Sequence, residues 1–245
     1  MQVITLSIVV PAFNEASGLA ASLASIRGAA TAFEARGWTW ELIVCDNNSS
    51  DATAAIARDA GATVVFEPVN QISRARNTGA AEATGAWLVF VDADSHPSAA
   101  LFADVAATIA GGACLAGGST VSIDSPHWLA QALVRTWNGF SRMARLAAGS
   151  FIFCETRAFR EAGGFSLELF ASEEIELFRR LKRVARRAGR TIVILHRHPL
   201  RTSDRKARLY STREIAIGLI KTLLTGGRTL KSRDECYAWY DGRRE

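Results

Sequence analysis

Two carboxylates, Asp92 and Asp94, follow directly on a run of five apolar residues, Trp87 to Val91, and precede Ser95, His96 and Pro97. An apolar run bounded by Gly85 and a proline turn predicts a strand buried on both faces, as in a parallel sheet. If the extended geometry persists, residues 92 and 94 point the same way, and two like charges repel unless a cation or a donor cluster lies between them. Carboxylate oxygens at a loop suit Mg²⁺ or Mn²⁺ better than Zn²⁺, and such ions bridge a few acids to substrate phosphates. One reading is therefore a divalent metal that holds a diphosphate at the carboxyl end of a central strand. The other is an Asx turn that, with Ser95 and Pro97, caps the following helix.

The elements that must position these acids alternate. Leu6 to Val10 is a short apolar run that ends at Pro11, and Leu19, Leu23 and Ile26 give the Ala-rich segment after it a helical period. Trp40 to Cys45 repeats the strand pattern and closes on Asp46, Asn47, Asn48, Ser49, Ser50 and Asp51 before a second helix over Thr53 to Ala60. A strand at Thr63 to Phe66, a loop to Ile72 and a helix from about Ser73 to Ala83 lead into the central strand. This order predicts an α/β, doubly wound sheet whose ligands sit beyond the carboxyl ends of the strands. Three polar clusters converge there: Asn14 with Glu15, Asp46 with Asn47, and Asp92 with Asp94. Neither a Gly-x-Gly-x-x-Gly turn nor a Walker loop follows the first strand. Acids and amides in that place suit base and ribose groups as acceptors and leave the phosphates to a metal.

A chain of 245 residues can bury one large α/β core or two closely joined halves. Its 49% hydrophobic and 22% charged residues are ordinary for a globular protein, and no stretch reaches the roughly 18 apolar residues that a membrane span needs. Met1 to Pro11 has no basic flank, so it reads as a first strand and not a signal peptide, which leads to the expectation of a cytoplasmic protein, with peripheral contact to the inner face of the membrane kept open beside it. Cys45, Cys114, Cys154 and Cys236 form no CxxC pair and are expected to be reduced thiols. Lys and Arg number 29 against 24 Asp and Glu, and the excess gathers after Arg179. That bias suits phosphate-bearing ligands, an anionic membrane surface or nucleic acid, and solvated helix faces explain it equally well.

Pro11-Ala-Phe-Asn-Glu15, then Asp46 to Asp51, then Ala75-Arg76-Asn77-Thr78-Gly79-Ala80, and finally Asp92-Ala93-Asp94 resemble in order and spacing the signatures of family 2 glycosyltransferases with the GT-A fold. What the resemblance implies is a Rossmann-like, doubly wound mixed sheet with helices on both faces, and a nucleotide-diphosphate sugar bound by the N-terminal half. Pro11, Phe13, Asn14 and Glu15, with Asp46, Asn47, Ser49, Arg76 and Asp92, are then the donor-binding residues. Asp92 and Asp94 handle ribose and metal, Asp94 being the surer ligand of a Mn²⁺ or Mg²⁺ ion. Gly149 to Phe153, followed by Thr156, Phe159 and Gly163-Gly164-Phe165, resembles the acceptor-side strand, helix and turn. Ser172-Glu173-Glu174 stands where the family has Glu-Asp before a basic helix, so the resemblance makes Glu174 the catalytic base, with Glu173 as the alternative. Read without the family, these acids merely suit the dipole of a helix start. The family often takes a third metal ligand from downstream, which points to His198, with His196 next. Thr202-Ser203-Asp204-Arg205-Lys206 resembles the Thr-Ser-x-Arg segment of some small soluble members, and an arginine in this place, Arg205, suits a bidentate clamp on the diphosphate.

A helix is expected over Leu101 to Ile109, and a short strand over Ala113 to Ala116 between the glycine pairs 111–112 and 117–118, with Val121 to Ile123 pairing nearby. Trp128 to Leu146 is amphipathic. Its Trp128, Trp137 and Phe140 are expected in the core, the rival role being a wall for a sugar or lipid acceptor. A strand at Thr191 to Leu195 precedes a basic turn at His196 to Leu200. Ile215 to Leu224, flanked by Arg213, Lys221 and Arg228, is expected to dock on the sheet, the alternative being a place on a lipid surface. The expected division is a nucleotide-sugar half over 1–100, an acceptor and catalytic half over 101–200, and a basic tail over 201–245. The expected activity is an inverting, metal-dependent sugar transfer to an unidentified hydroxyl acceptor, without a nucleic-acid partner. Two other classes compete: a sugar nucleotidyltransferase, which calls for a Gly-rich, Lys-bearing loop after the first strand, and a non-catalytic basic binding module.

Overall fold

The computed structural model describes residues 4–125, 128–147, 149–203, 225 and 228–236. The elements run β1 (Thr5–Ala12), α1 (Leu19–Glu34), β2 (Thr39–Asp46), α2 (Thr53–Asp59), β3 (Thr63–Phe66), α3 (Ile72–Glu82), β4 (Trp87–Val91), β5 (Ser95–His96) and α4 (Ala99–Ala110), and then β6 (Cys114–Ile123), α5 (Trp128–Ala144), β7 (Phe151–Glu155), α6 (Thr156–Ala162), α7 (Glu173–Arg187) and β8 (Thr191–Thr202). The strands form one sheet in the order β3-β2-β1-β4-β7-β6-β8-β5. β1 pairs in parallel with β2 and β4, and β2 with β3, so these four strands end along one edge. The order reverses at β1, which places the crevice beside the ends of β1, β2 and β4. β7 then pairs antiparallel with both β4 and β6, making the sheet mixed and carrying it past residue 100 without a break.

Helices cover both faces, as the alternation predicts. On one side Leu19, Leu23, Ile26 and Phe33 of α1 pack with Leu101, Phe102 and Val105 of α4, and Phe33 stacks on Phe102 with ring centroids 4.9 Å apart. On the other side Ala80 of α3, Phe159 of α6 and Leu177, Phe178 and Leu181 of α7 pack on Val9, Leu88 and Phe90. All five residues of β4 are buried, as its unbroken apolar run requires. The four cysteines are free and buried. No described helix is long and apolar enough to cross a membrane.

Three expectations change. β6 runs straight through Gly117 and Gly118, which the spacing assigned to its border. These positions are glycine because the sheet is tight here: a Cβ on Gly117 would stand 2.5 Å from the Val193 carbonyl and from the Phe153 ring. β8 continues through the predicted basic turn to Thr202, but its pairing with β6 jumps from Ser119↔Leu195 to Val121↔Leu200, so residues 196–199 bulge outward. In α5 only Trp137 of the three aromatics packs against the core, beside Val134. Trp128 is 74% and Phe140 45% exposed. The helix is attached by a polar seam: the Asn138 side chain accepts from Val121 N at 3.0 Å and donates to Val121 O at 2.8 Å.

Candidate active site

The first two polar clusters interlock at the ends of β1 and β2. Asn14 adopts a left-handed backbone, φ 51°, and its Oδ1 accepts from Ser50 N at 2.8 Å while its own N–H donates to Ser49 Oγ at 3.0 Å. Asp46 Oδ1 accepts from Ser49 N at 3.1 Å, and Asn48 is also left-handed at φ 65°. Asp51 caps the arrangement by accepting from Ala16 N and Thr53 N, at 3.0 and 2.9 Å. The side-chain hydrogen bonds to Ala16 and Thr53 hold the Asp51 carboxyl below its usual range, against the opposing effect of its partial burial. The Asn47 side chain is spent on the neighbouring loop: it donates to the carbonyls of Glu67 and Val69 and accepts from Gln71 N. Asn47 thus shapes the crevice through residues 67–71. Pro11 pairs with Cys45 and Ala12 with Asp46 in the β1–β2 register, which brings both loops to one level.

The strand carrying the third cluster ends at Val91, and Ala93 and Asp94 form a turn before β5. The strand alternation therefore stops short of Asp94. Asp92 and Asp94 are nonetheless partly accessible while Ala93 between them is buried. The capping alternative for these acids does not hold, because α4 is capped by Ser98, whose hydroxyl accepts from Leu101 N at 3.1 Å.

Arg76 binds the acids together. It projects from α3, is 1% exposed, and donates from Nη2 to Asp92 Oδ1 at 2.8 Å and to Gly149 O at 3.0 Å, and from Nη1 to Glu173 Oε1 at 2.6 Å. Its face rests on the Phe165 ring, 5.1 Å from the centroid. Burial alone would lower its pKa, but the charges of Asp92, Glu173 and Glu174 outweigh that and raise it. Next to it, Asn77 accepts from Phe165 N and donates to Phe165 O, both at 2.9 Å, and Gln71 Nε2 donates to the carbonyls of Leu167 and Leu169. One short helix thereby ties the end of β4 to the segment that delivers α7.

α7 opens from Ser172, a non-glycine residue held at φ 61° at a cost of about 1–3 kcal/mol. The three acids of its first turn take three roles. Glu176 pairs with the half-buried Arg180 one turn on, which also donates to the Ala162 carbonyl. Glu173 is buried against Arg76. Glu174 sits beside Gly149, where a Cβ would stand 3.4 Å from its Cδ. Desolvation, reinforced by the Glu173 charge, pushes the Glu174 carboxyl up to about 8, with Arg76 opposing. An acid tuned close to neutrality in a crevice is suited to take and release a proton.

The structure thus gathers Arg76, Asp92, Glu173 and Glu174 into one cluster, beside which Gly149 leaves room. His198 is not brought to it: the bulge of β8 turns this ring outward, and its Nδ1 lies 2.9 Å from Asp104 Oδ2 on α4. Among the described residues no group of three or more His, Cys, Asp and Glu side chains is arranged to hold a metal ion. Arg205 and the segment 215–224 lie outside the described residues. Sequence reasoning passed over Gln71, named Asn77 and Gly149 only as members of motifs without a role, and expected Arg76 among the donor-binding residues without its ion pairs. A signal for Arg76 existed: it shares its helix with Ala75, Gly79 and Ala80, small residues that mark a tightly packed face on which a charge requires partners.

Comparison with known proteins identifies the family and the fold. The family description Glycosyl transferase family 2 matches residues 7–162. An uncharacterized glycosyltransferase of Mycobacterium bovis is 33% identical over 122 residues, 50% of this chain and 51% of its own length. Glycosyltransferase AglE of Haloferax volcanii is 33% identical over 120 residues, 46% of this chain and 38% of its own. The chain spans about half the length of the first of these relatives. Among solved structures, S. aureus TarS 1-349 in complex with UDP-GlcNAc has a TM-score of 0.64 at 18% identity, covering 96% of this chain and 69% of its own. Glucosyl-3-phosphoglycerate synthase from Mycobacterium tuberculosis in complex with Mn²⁺, UDP and glucosyl-3-phosphoglycerate has 0.62 at 22% identity, covering 91% and 79%. Mannosyltransferase PcManGT from Pyrobaculum calidifontis, in complex with GDP-Man and Mn²⁺, has 0.63 at 18%, covering 82% and 57%. These neighbours share the fold, which is that of the GT-A glycosyltransferases. With the match extending from the first strand to the end of α6, this chain belongs to glycosyltransferase family 2.

Proposed function

We propose that the chain transfers a sugar from a nucleotide-diphosphate donor to a hydroxyl acceptor, with inversion at the anomeric carbon. The observation that supports this reading most is the Arg76 cluster, in which a buried guanidinium engages Asp92 and Glu173 while the adjacent Glu174 carboxyl is raised. Residues 1–100 hold the donor, with Asp46 and the loops from Pro11 to Glu15 and from Asp46 to Asp51 around the nucleoside, and residues 101–200 hold the acceptor. Glu174 takes the proton of the acceptor hydroxyl as its oxygen bonds to the anomeric carbon. The bond to the diphosphate breaks on the opposite side, and the nucleoside diphosphate departs with the bonding electrons. Arg76 pins Glu173 through their ion pair, and its own positive charge opposes the rise in the Glu174 pKa, so that Glu174 stays able to ionise for its task.

Asp94 and the accessible part of Asp92 offer only oxygen donors, a set that fits Mn²⁺ or Mg²⁺ with the remaining positions taken by phosphate oxygens and water. Such an ion, when bound, supplies charge neutralisation at the departing diphosphate. Arg205 adds a bidentate donor to the same group. Neighbouring proteins bound to UDP, UDP-GlcNAc and GDP-Man support a nucleotide-sugar donor.

Product analysis tests the proposal. The full chain, incubated with a panel of nucleotide sugars and Mn²⁺, is expected to release nucleoside diphosphate and free sugar slowly even without acceptor. Release of pyrophosphate, or of nothing from any donor, contradicts it.

A further inference from the structure

α5 carries two unlike faces. Val134, Trp137 and Ser141 look toward the fold, and Asn138 fastens the helix to β6. On a separate line of the same helix Leu129, Leu133, Phe140 and Met143 recur at helical spacing, all solvent-exposed, Met143 by 81%. Trp128, at the N-terminal end, lies between that stripe and the exposed Arg135 and Arg142. Apolar residues brought to one side of a helix and left uncovered mark an interaction surface.

The ionisable residues that line the cavity beside the stripe are all basic. A cavity of about 530 Å³ opens between the C-terminal half of α5 and β8, lined by Arg142, Arg145 and His196 with Met143, Ile192 and Ile194 as its apolar wall. Arg145 is held in the left-handed region at φ 49°. Lys182 Nζ donates to the Ala144 carbonyl at 2.5 Å just behind it, and partial burial together with Arg145 and Arg179 holds its pKa below the usual lysine range. α5 itself contains neither Asp nor Glu, and no carboxylate among the described residues pairs with Arg142 or Arg145. A second copy of this chain docking through the same face would set arginine against arginine. An anionic bilayer meets both halves at once, taking the stripe among its acyl chains and offering phosphates to the arginines.

We propose that α5 and the adjoining cavity form a membrane-docking surface, on which Trp128, Leu133, Phe140 and Met143 enter an anionic bilayer and Arg142, Arg145 and His196 take a lipid phosphate. The helix lies in the plane of the interface, with Trp128 at headgroup depth. The contact is peripheral and electrostatically selective.

Co-sedimentation of the full chain with vesicles tests this without any reading of turnover, so it stands or falls apart from sugar transfer. The chain is expected to pellet with equal parts phosphatidylcholine and phosphatidylglycerol and to remain in the supernatant with phosphatidylcholine alone. Arg142→Ala with Arg145→Ala is expected to weaken partitioning on the order of tenfold. Leu133→Glu with Phe140→Glu is expected to abolish it. Both pairs are solvent-exposed, so the melting temperature stays near that of the parent. Equal binding to neutral vesicles, absence of binding, or unimpaired binding by either double variant overturns the proposal. So does a dimer in light scattering that Phe140→Glu dissociates, which would assign the stripe to self-association.

Discussion

Glu174→Gln lowers turnover on the order of a thousandfold while leaving nucleotide-sugar binding nearly unchanged. The amide keeps the shape of the side chain and removes its capacity to take a proton. The same substitution makes the fold more stable, an effect of opposite sign to the loss of activity. Burial and the Glu173 charge raise the Glu174 pKa from 4.5 to about 8. The stability that goes with the protonated form is complete below about 4.5 and is lost as the pH rises through about 8. Gln cannot ionise and never incurs that loss, so the variant melts higher than the parent at pH 9 and alike at pH 4. Parental activity should climb over the same range as Glu174 ionises, giving an ascending acidic limb that Glu173→Gln shifts toward lower pH by removing a like charge. Denaturation curves and pH–rate profiles of the three proteins check both effects. Parental turnover in Glu174→Gln removes this residue from the mechanism.

Arg76→Ala is the second large effect. The guanidinium is almost fully buried between Asp92 and Glu173, and removing one partner of a buried ion pair costs about 3–5 kcal/mol because the other charges remain. In a chain of this size the melting temperature falls on the order of 10 °C. Arg76→Met combined with Glu173→Leu restores much of that stability, since well-packed apolar residues often replace a buried pair at little cost. It does not restore activity, because Glu174 loses both neighbours that set its proton affinity. Urea denaturation with parallel rate measurements separates the two outcomes, and a loss below about 0.5 kcal/mol for Arg76→Ala contradicts the hub role.

Much of the fold was legible where local pattern and burial agree. β1, β2 and β4 stand out as apolar runs because both their faces are covered, and the acids, amides and serines after them mark the crevice edge. α4 was expected over 101–109 and extends to Ala99–Ala110, its start set by the Ser98 hydroxyl. Other features depend on partners far away in sequence. Gly117 reads as a strand border until Val193 and Phe153 are placed against it. The period of α5 reveals two faces but not which one meets the sheet, and here it is the polar Asn138 that anchors the helix while Phe140 and Met143 point outward. The outward bulge at 196–199 follows from the β6–β8 register, and it carries His198 to Asp104. For the site, the acid clusters were legible as types and spacing. Which of Glu173 and Glu174 is tied to Arg76 was not, since that contact joins residues 97 positions apart in the chain.

Calorimetry of a nucleoside diphosphate binding to the full chain, with and without Mn²⁺, for the parent and Asp94→Asn tests the central claim most directly. The account predicts binding by the parent that strengthens at least tenfold with Mn²⁺, and an Asp94→Asn variant in which that Mn²⁺ gain disappears while metal-free binding persists. Equal affinity with and without Mn²⁺ in the parent, or an undiminished Mn²⁺ gain in the variant, contradicts it.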